Sequence, residues 1–214
     1  MKRGGSTPSK KLDCKRELKD LYGPRTGPPE IVDVPKLSFL MVDGIGDPTT
    51  SPSYGEAVEA LFAVSCRVKF AVKRGSEGID YKVMPLEGLW WVDGLSKFSL
   101  GDKSSWSWTA MIMQPDVVTD ELVRRSILEA STKKPLPAAA KLRFVRFEEV
   151  LAAQVLHTGP YGAEEPTIER LHAFIVEAGH RLRGKHHEIY LSDPSRVDPA
   201  RLRTIIRQPI ASPP

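Results

Sequence analysis

An α+β fold made of two pseudo-repeated β-α-β-β modules, spanning 37–134 and 135–214, is what the sequence predicts, and three observations lead there. A chain of 214 residues with 41% hydrophobic and 27% charged side chains can bury a sizeable core and is too apolar for wholesale disorder. A strand, helix, strand, strand succession of apolar patterns is read twice along it. The two halves also align: Gly46 with Gly159, Val58-Glu59-Ala60-Leu61 with Ile168-Glu169-Arg170-Leu171, and Glu87 with Glu188. Two such units are expected to pair antiparallel sheets side by side, with the helices on one face and a cleft between the halves, opening on the other face.

Residues 1–36 read as a flexible basic arm, low in apolar content at the start, with a short polar helix from Leu12 to Leu21 and a turn-rich stretch before Leu37. The folded body is expected to begin at Leu37. LSFLMVDG is a buried strand, and GIGDPTTSPSYG is a loop whose Ser, Pro and Gly stop it. From Glu56 to Phe70, Ala57, Val58, Leu61, Phe62 and Ser65/Cys66 recur at spacings of three and four, the mark of a helix with one buried face. KRGSEGIDY is a hairpin-like connection, YKVMPLEGLWWV a strand broken by its Pro, and SWSWTAMIMQ a second strand. Asp116 to Lys134 is a helix opened by Thr119 as a cap. In the second half LRFVRFEE and VLAAQVLHTG are strands, GPYGAEEP is a loop, and Thr167 to Leu182 is an amphipathic helix. KHHEIYLSD and LRTIIRQPI are the closing strands.

Composition excludes several classes of function. The net charge of +4 sits entirely in residues 1–36, which hold nine basic and five acidic residues, so the body is neutral and offers no basic face for nucleic acid. No apolar stretch approaches the ~20 residues of a bilayer span, and no targeting signal is read, so no membrane partner is expected. Two cysteines, Cys14 and Cys66, with one in the arm, fit a reducing cytoplasm better than a disulfide framework. His180, His186 and His187 lack ligand spacing, so neither a metal nor another cofactor is expected. Gly44 and Gly46 after a strand lack the third glycine of a dinucleotide fingerprint.

Three clusters can carry chemistry. All four tryptophans lie between Trp90 and Trp108. Strand alternation puts Trp106 with Trp108 on one face and Trp91 with Glu87 on one face, a composition suited to holding flat apolar ligands or, equally, to a core patch. In HHEIYL, His186, Glu188 and Tyr190 share a face and His187 and Ile189 the other. A Glu188 set among aromatic rings attracts lipophilic cations or, desolvated, acts as a general acid or base; its alternative is a solvated carboxylate on an exposed strand. Tyr161 stands in a Gly-Pro-Tyr-Gly turn at a strand-to-helix junction, where binding side chains and plain turn residues both occur; Tyr54 holds a comparable place in the first half.

FLMVDGIGDPTTSPSYGEAVEALFAV, YKVMPLEGLWW, WTAMIMQPD, HTGPYGAEEPTIERLHAFI and HHEIYLSDP together resemble the GyrI-like small-molecule-binding proteins, also called DNA gyrase inhibitor-like proteins, in their stand-alone form. The resemblance covers Leu37 to the C-terminus. It implies a duplicated β-α-β-β module and a pocket between the halves for flat, hydrophobic, often cationic compounds, with a carboxylate at its base. Glu188 matches that carboxylate; Trp91, Tyr161 and Tyr190 match aromatic walls, with Trp90, Trp106, Trp108, Phe174 and Met113 as neighbours. Regulators of this type carry a DNA-binding helix-turn-helix in front, and the arm is too short for one. Binding is the expected function. The alternative that the resemblance implies is a cyclopropanoid cyclopropyl hydrolase that detoxifies DNA-alkylating antibiotics, with Glu188 as acid or base and Tyr161 orienting the substrate. A direct contact with gyrase is a lesser alternative.

Overall fold

The computed structural model describes residues 10–92 and 105–212. Its strands are β1 (Lys10–Leu12), β2 (Glu30–Val34), β3 (Leu37–Ile45), β4 (Ile79–Tyr81), β5 (Leu86–Trp91), β6 (Ser107–Gln114), β7 (Arg143–Phe147), β8 (Val150–Thr158), β9 (Arg181–Leu182), β10 (His186–Tyr190) and β11 (Arg203–Ala211). The helices are α1 (Cys14–Glu17), α2 (Lys19–Tyr22), α3 (Pro52–Arg74), α4 (Asp120–Lys133) and α5 (Glu165–Glu177). The main sheet is antiparallel throughout in the order β2-β8-β11-β10-β5-β6-β3-β7, with β9 added at the end of β11. A separate parallel pair joins β1 to β4.

Both sheet faces are covered, which is why the long strands read as near-continuous apolar runs. In β6 every residue is buried. One face carries the helices: α3 packs on β3 and β6, and α5 on β8 and β11. Ala57, Ala60, Leu61, Val64 and Val68 form the fully buried stripe of α3, while Ile168, Leu171 and Ile175 of α5 close over Ala153, Val155 and Ile206. The two helices thus sit over the outer strands and leave the central pair, β5 and β10, open between them. The cleft consequently lies on the helix side of the sheet, a correction to the expectation that it opens on the far side.

Local signals set most element ends. Thr119 caps α4 by accepting from Leu122 N–H at 3.3 Å, as expected. Helix α3 starts earlier and ends later than Glu56–Phe70 because Pro52 is suited to a first turn and Lys73 and Arg74 to a last one. Helix α5 stops short of Leu182 at Gly179, whose φ of 77° ends the helical path. The two glycines aligned between the halves behave alike. Gly46 and Gly159 both have positive φ, 108° and 144°, and their N–H groups donate to Trp106 O (2.7 Å) and Leu202 O (2.9 Å). The carboxylates aligned with each other do not. Glu188 stands opposite Gly88 and Glu87 opposite Ile189, so Glu87 projects from the face away from the helices and Glu188 from the helix face.

The arm is corrected too. Residues 1–9 lie outside the described residues, but from Lys10 onward the segment is built into the fold, and the helix expected from Leu12 to Leu21 is two single turns, α1 and α2. Leu21 and Tyr22 are buried, and β2 pairs with β8. What holds the segment is a buried polar network on the face away from the helices. Tyr22 Oη donates to Glu87 Oε1 (2.8 Å), and His187 stands between carboxylates, with Nε2 3.0 Å from Glu87 Oε2 and Nδ1 3.0 Å from Glu149 Oε2. Arg207 Nη2 donates to Gln154 Oε1 (2.9 Å) and Leu21 O (2.8 Å), and Nη1 lies 3.4 Å from Glu149 Oε2. Two cations meet two anions there, and each buried polar group finds a partner, as burial requires.

Candidate functional site

Between α3 and α5 the uncovered central strands form the floor of a cavity of about 670 Å³. Its floor and walls follow from strand parity. Leu86 and Trp90 of β5 and Glu188 and Tyr190 of β10 alternate onto the helix face. Tyr54, Val58 and Phe62, spaced by four, form a second stripe of α3 beside its core stripe and wall one side; Tyr161 and Glu164, at the start of α5, wall the other. Gly88 on the same face matters by what it lacks. A Cβ there would stand 2.7 Å from Trp90 Nε1, so the indole can lie flat over the backbone only because residue 88 is Gly.

The aromatic rings touch in sequence. Tyr54 lies 5.6 Å from Trp90 and edge-on to Trp108 at 5.0 Å; Trp90 lies 5.6 Å from Trp106; Tyr161 is edge-on to Tyr190 at 5.5 Å. Such tilted and edge-to-face contacts fix ring orientation and leave faces for a flat guest. Glu188 sits among them with 9% exposure. Tyr190 Oη donates to its Oε2 at 2.6 Å, and His186 Nε2 lies 3.0 Å from its Oε1.

Burial and the negative charge of Glu188 push the Tyr190 phenol well above its ordinary pKa, and burial followed by Glu188 does the same to Tyr54. Tyr161 is pushed up by burial, with Glu164 and Glu188 adding to it. At neutral pH these hydroxyls therefore keep their protons and act as hydrogen-bond donors. The set can hold a cation against a carboxylate framed by ring faces. It can also hand a proton to or from a guest through Glu188, with phenols to position it.

Among the residues expected at the site, Glu188, Tyr161, Tyr190, Trp90 and Trp106 border the cavity together. Four others lie elsewhere. Trp91 projects from the opposite face, where Lys185 Nζ stands 3.2 Å above its ring. Met113 pairs with Phe39 on that same far face and is buried. Trp108 is on the helix face but lies beneath the cavity wall, against Gly44 and Tyr54, and Phe174 packs with the cluster under α5. Sequence reasoning missed Glu164, Val58, Phe62 and Lys15. For Val58 and Phe62 the signal was present as a stripe with Tyr54 but was read as core. Lys15 carried none, since its segment read as an arm.

Among the described residues, no group of three or more His, Cys, Asp and Glu side chains is placed to hold a metal ion, and no helix is long and apolar enough to cross a membrane. No curated protein matches the chain. Among solved structures it is similar to an uncharacterized conserved protein from Listeria innocua, with 40% identity, a TM-score of 0.86, and 94% of this chain and 100% of that one covered. A hydrolase from Listeria innocua is similar with 40% identity, a TM-score of 0.84 and the same coverage. The C-terminal domain of EcmrR, 12% identical with a TM-score of 0.54 over 86% of this chain and 98% of that one, shares the fold. The model of the GyrI-like small molecule binding domain matches residues 27–211. With that match spanning nearly all of the sheet and both walls of the cavity, the chain belongs to the GyrI-like small molecule binding domain family.

Proposed function

We propose that this protein binds flat, hydrophobic, cationic small molecules in the aromatic cavity, with Glu188 meeting the positive charge. The observation that carries this reading is a carboxylate buried to 9% exposure in a cavity walled by Tyr54, Trp90, Trp106, Tyr161 and Tyr190. A desolvated carboxylate gains from a cationic guest, and the negative ring faces add to the attraction. We further read the chain as two β-α-β-β modules, 37–134 and 135–214, whose central strands β5 and β10 meet below the ligand. The shared behaviour of Gly46 and Gly159 supports this. Both cysteines are free thiols, which suits a cytoplasmic location. The reading requires neither nucleic acid nor gyrase.

The hydrolase from Listeria innocua, 40% identical, favours hydrolysis as a second reading in the same cavity, and the family resemblance implies cyclopropanes fused to a conjugated dienone as its substrates. Glu188 would take a proton from water as its oxygen bonds to the cyclopropane carbon. The strained carbon–carbon bond would break with its electron pair passing into the dienone, whose oxygen takes up the proton that Glu188 removed from water, becoming a phenol and restoring the carboxylate. Tyr161 would orient that oxygen and the rings would stack the substrate.

One experiment separates the readings. Rhodamine 123, a flat lipophilic cation, is titrated against tryptophan fluorescence in the wild type and Glu188→Gln. Binding predicts quenching in the wild type and an affinity about tenfold lower in the variant, the ~1.4 kcal/mol of a partly desolvated ion pair. Equal affinities, or no quenching, would refute the role of Glu188. A cyclopropane-fused dienone antibiotic is then followed by its dienone absorbance. Turnover in the wild type alone establishes the hydrolase, and quenching without turnover leaves a binding protein.

A further inference from the structure

The N-terminal segment crosses from one side of the sheet to the other. Lys15, in α1, borders the cavity on the helix side, whereas Tyr22, in α2, is bonded to Glu87 on the opposite face. The path is fixed at both ends. Before Lys15, β1 pairs with β4; after it, Leu21 O accepts from Arg207 and Asp20 O accepts from Gln154 Nε2 at 2.6 Å. The family match begins at residue 27, so this part of the cavity wall is supplied from in front of the matched domain.

Lys15 is exposed, and it is the one basic side chain among the described residues that line the cavity. Partial burial and, after it, the positive charges of Lys82 and Arg203 lower its pKa, with Asp13 opposing. Arg203 opens β11, and its N–H donates to Ser192 Oγ (3.1 Å) on the cavity rim. Two nearby acids have partners of their own. Asp13 accepts from Arg16 N–H at 3.2 Å; Asp193, on the rim, accepts from Ser195 and pairs with Arg196 at 3.2 Å.

Resting on the binding reading above, we propose that Lys15 is a specificity-determining residue which makes the cavity dipolar. The preferred ligand carries its cation at Glu188 and a carboxylate at Lys15. A guest that places a second cation at Lys15 is disfavoured.

The test uses two dyes with one ring system: rhodamine 123, whose carboxyl is a methyl ester, and rhodamine 110, whose carboxylate is free. Both are titrated against the full-length wild type, Lys15→Gln, Lys15→Glu and Lys15→Arg. The wild type is expected to favour rhodamine 110. Lys15→Gln should weaken rhodamine 110 about fivefold while leaving rhodamine 123 within twofold, Lys15→Glu should reverse the preference, and Lys15→Arg should retain it. Equal changes for the two dyes, or no change in any variant, would overturn the role of Lys15 while leaving the cation site at Glu188 standing. Failure of the wild type to bind either dye would remove the binding reading and this one with it.

Discussion

The buried His187 makes the stability of this protein fall as pH rises through the alkaline range. Each of its ring nitrogens faces a carboxylate at 3.0 Å, Glu87 on one side and Glu149 on the other. Only the imidazolium has a proton for both. Burial opposes the charge, but Glu149, joined by Glu87, outweighs it and raises the pKa from 6.5 to about 9. Because the folded value lies above the unfolded one, the stabilisation is fully present below pH 6.5 and is lost as pH rises through about 9. At about 1.4 kcal/mol per tenfold change in proton affinity, the separation is worth about 3 kcal/mol, of which about 2 kcal/mol is lost between about pH 7 and 9. His157 and His172, whose pKa values are lowered chiefly by burial, act in the opposite sense and below that window. Urea denaturation at the two pH values, in the wild type and His187→Gln, measures the difference. The variant should be less stable by about 3 kcal/mol at pH 7, because it strands buried carboxylates, and its stability should be nearly flat across the window. Should it fail to fold, the His187 ring proton is followed by NMR in the wild type. A loss as large in the variant as in the wild type, or a ring titrating at its ordinary pH, would refute the account.

Two further outcomes test the cavity itself. Gly88→Ala places a methyl group where the Trp90 indole lies, 2.7 Å from its Nε1. We expect a cost of about 1–3 kcal/mol in urea denaturation and a weaker, shifted quenching by rhodamine 123 as the ring is pushed into the cavity; an unchanged emission spectrum would count against that placement. Trp90→Leu should weaken rhodamine 123 by about tenfold through the lost ring face, whereas Trp91→Leu, on the far side of the sheet, should leave its affinity within twofold, and a reversed order in the titration would mean that the wrong face has been assigned to the ligand.

That last pair also shows where sequence reasoning reached and where it stopped. Within a strand, alternation is legible: His186, Glu188 and Tyr190 do share a face, because a side-chain period of two is a property of one strand by itself. Which face of one strand continues which face of the next is a property of register, and a slip of one residue inverts it. Aligning Glu87 with Glu188 makes such a slip, and Trp91, which the resemblance implies as an aromatic wall, shares the face of Glu87 and not that of Glu188. The pairing of Gly88 with Glu188 instead sets Trp90 opposite His186, on the same face as Glu188 and Tyr190, and sends Trp91 to the far side.

The N-terminal segment escaped notice for a different reason. Its buried residues, Cys14, Leu21, Tyr22, Val32 and Val34, are separated by irregular turns and so carry no period of their own. They are ordered by partners far along the chain: Glu87, Gln154 and Arg207. Arg207, Glu149 and His187 had no reading of their own as buried charges, yet each is explained by the others, since a buried cation is tolerated where an anion and a backbone carbonyl meet it. The same network that hid the segment from sequence patterns anchors the chain just beyond Lys15. Substitutions at Glu87 or Arg207, on the face away from the ligand, are therefore expected to reduce the preference for rhodamine 110 in the quenching titration by loosening the hold on Lys15, while Glu188 keeps its own partners, Tyr190 and His186.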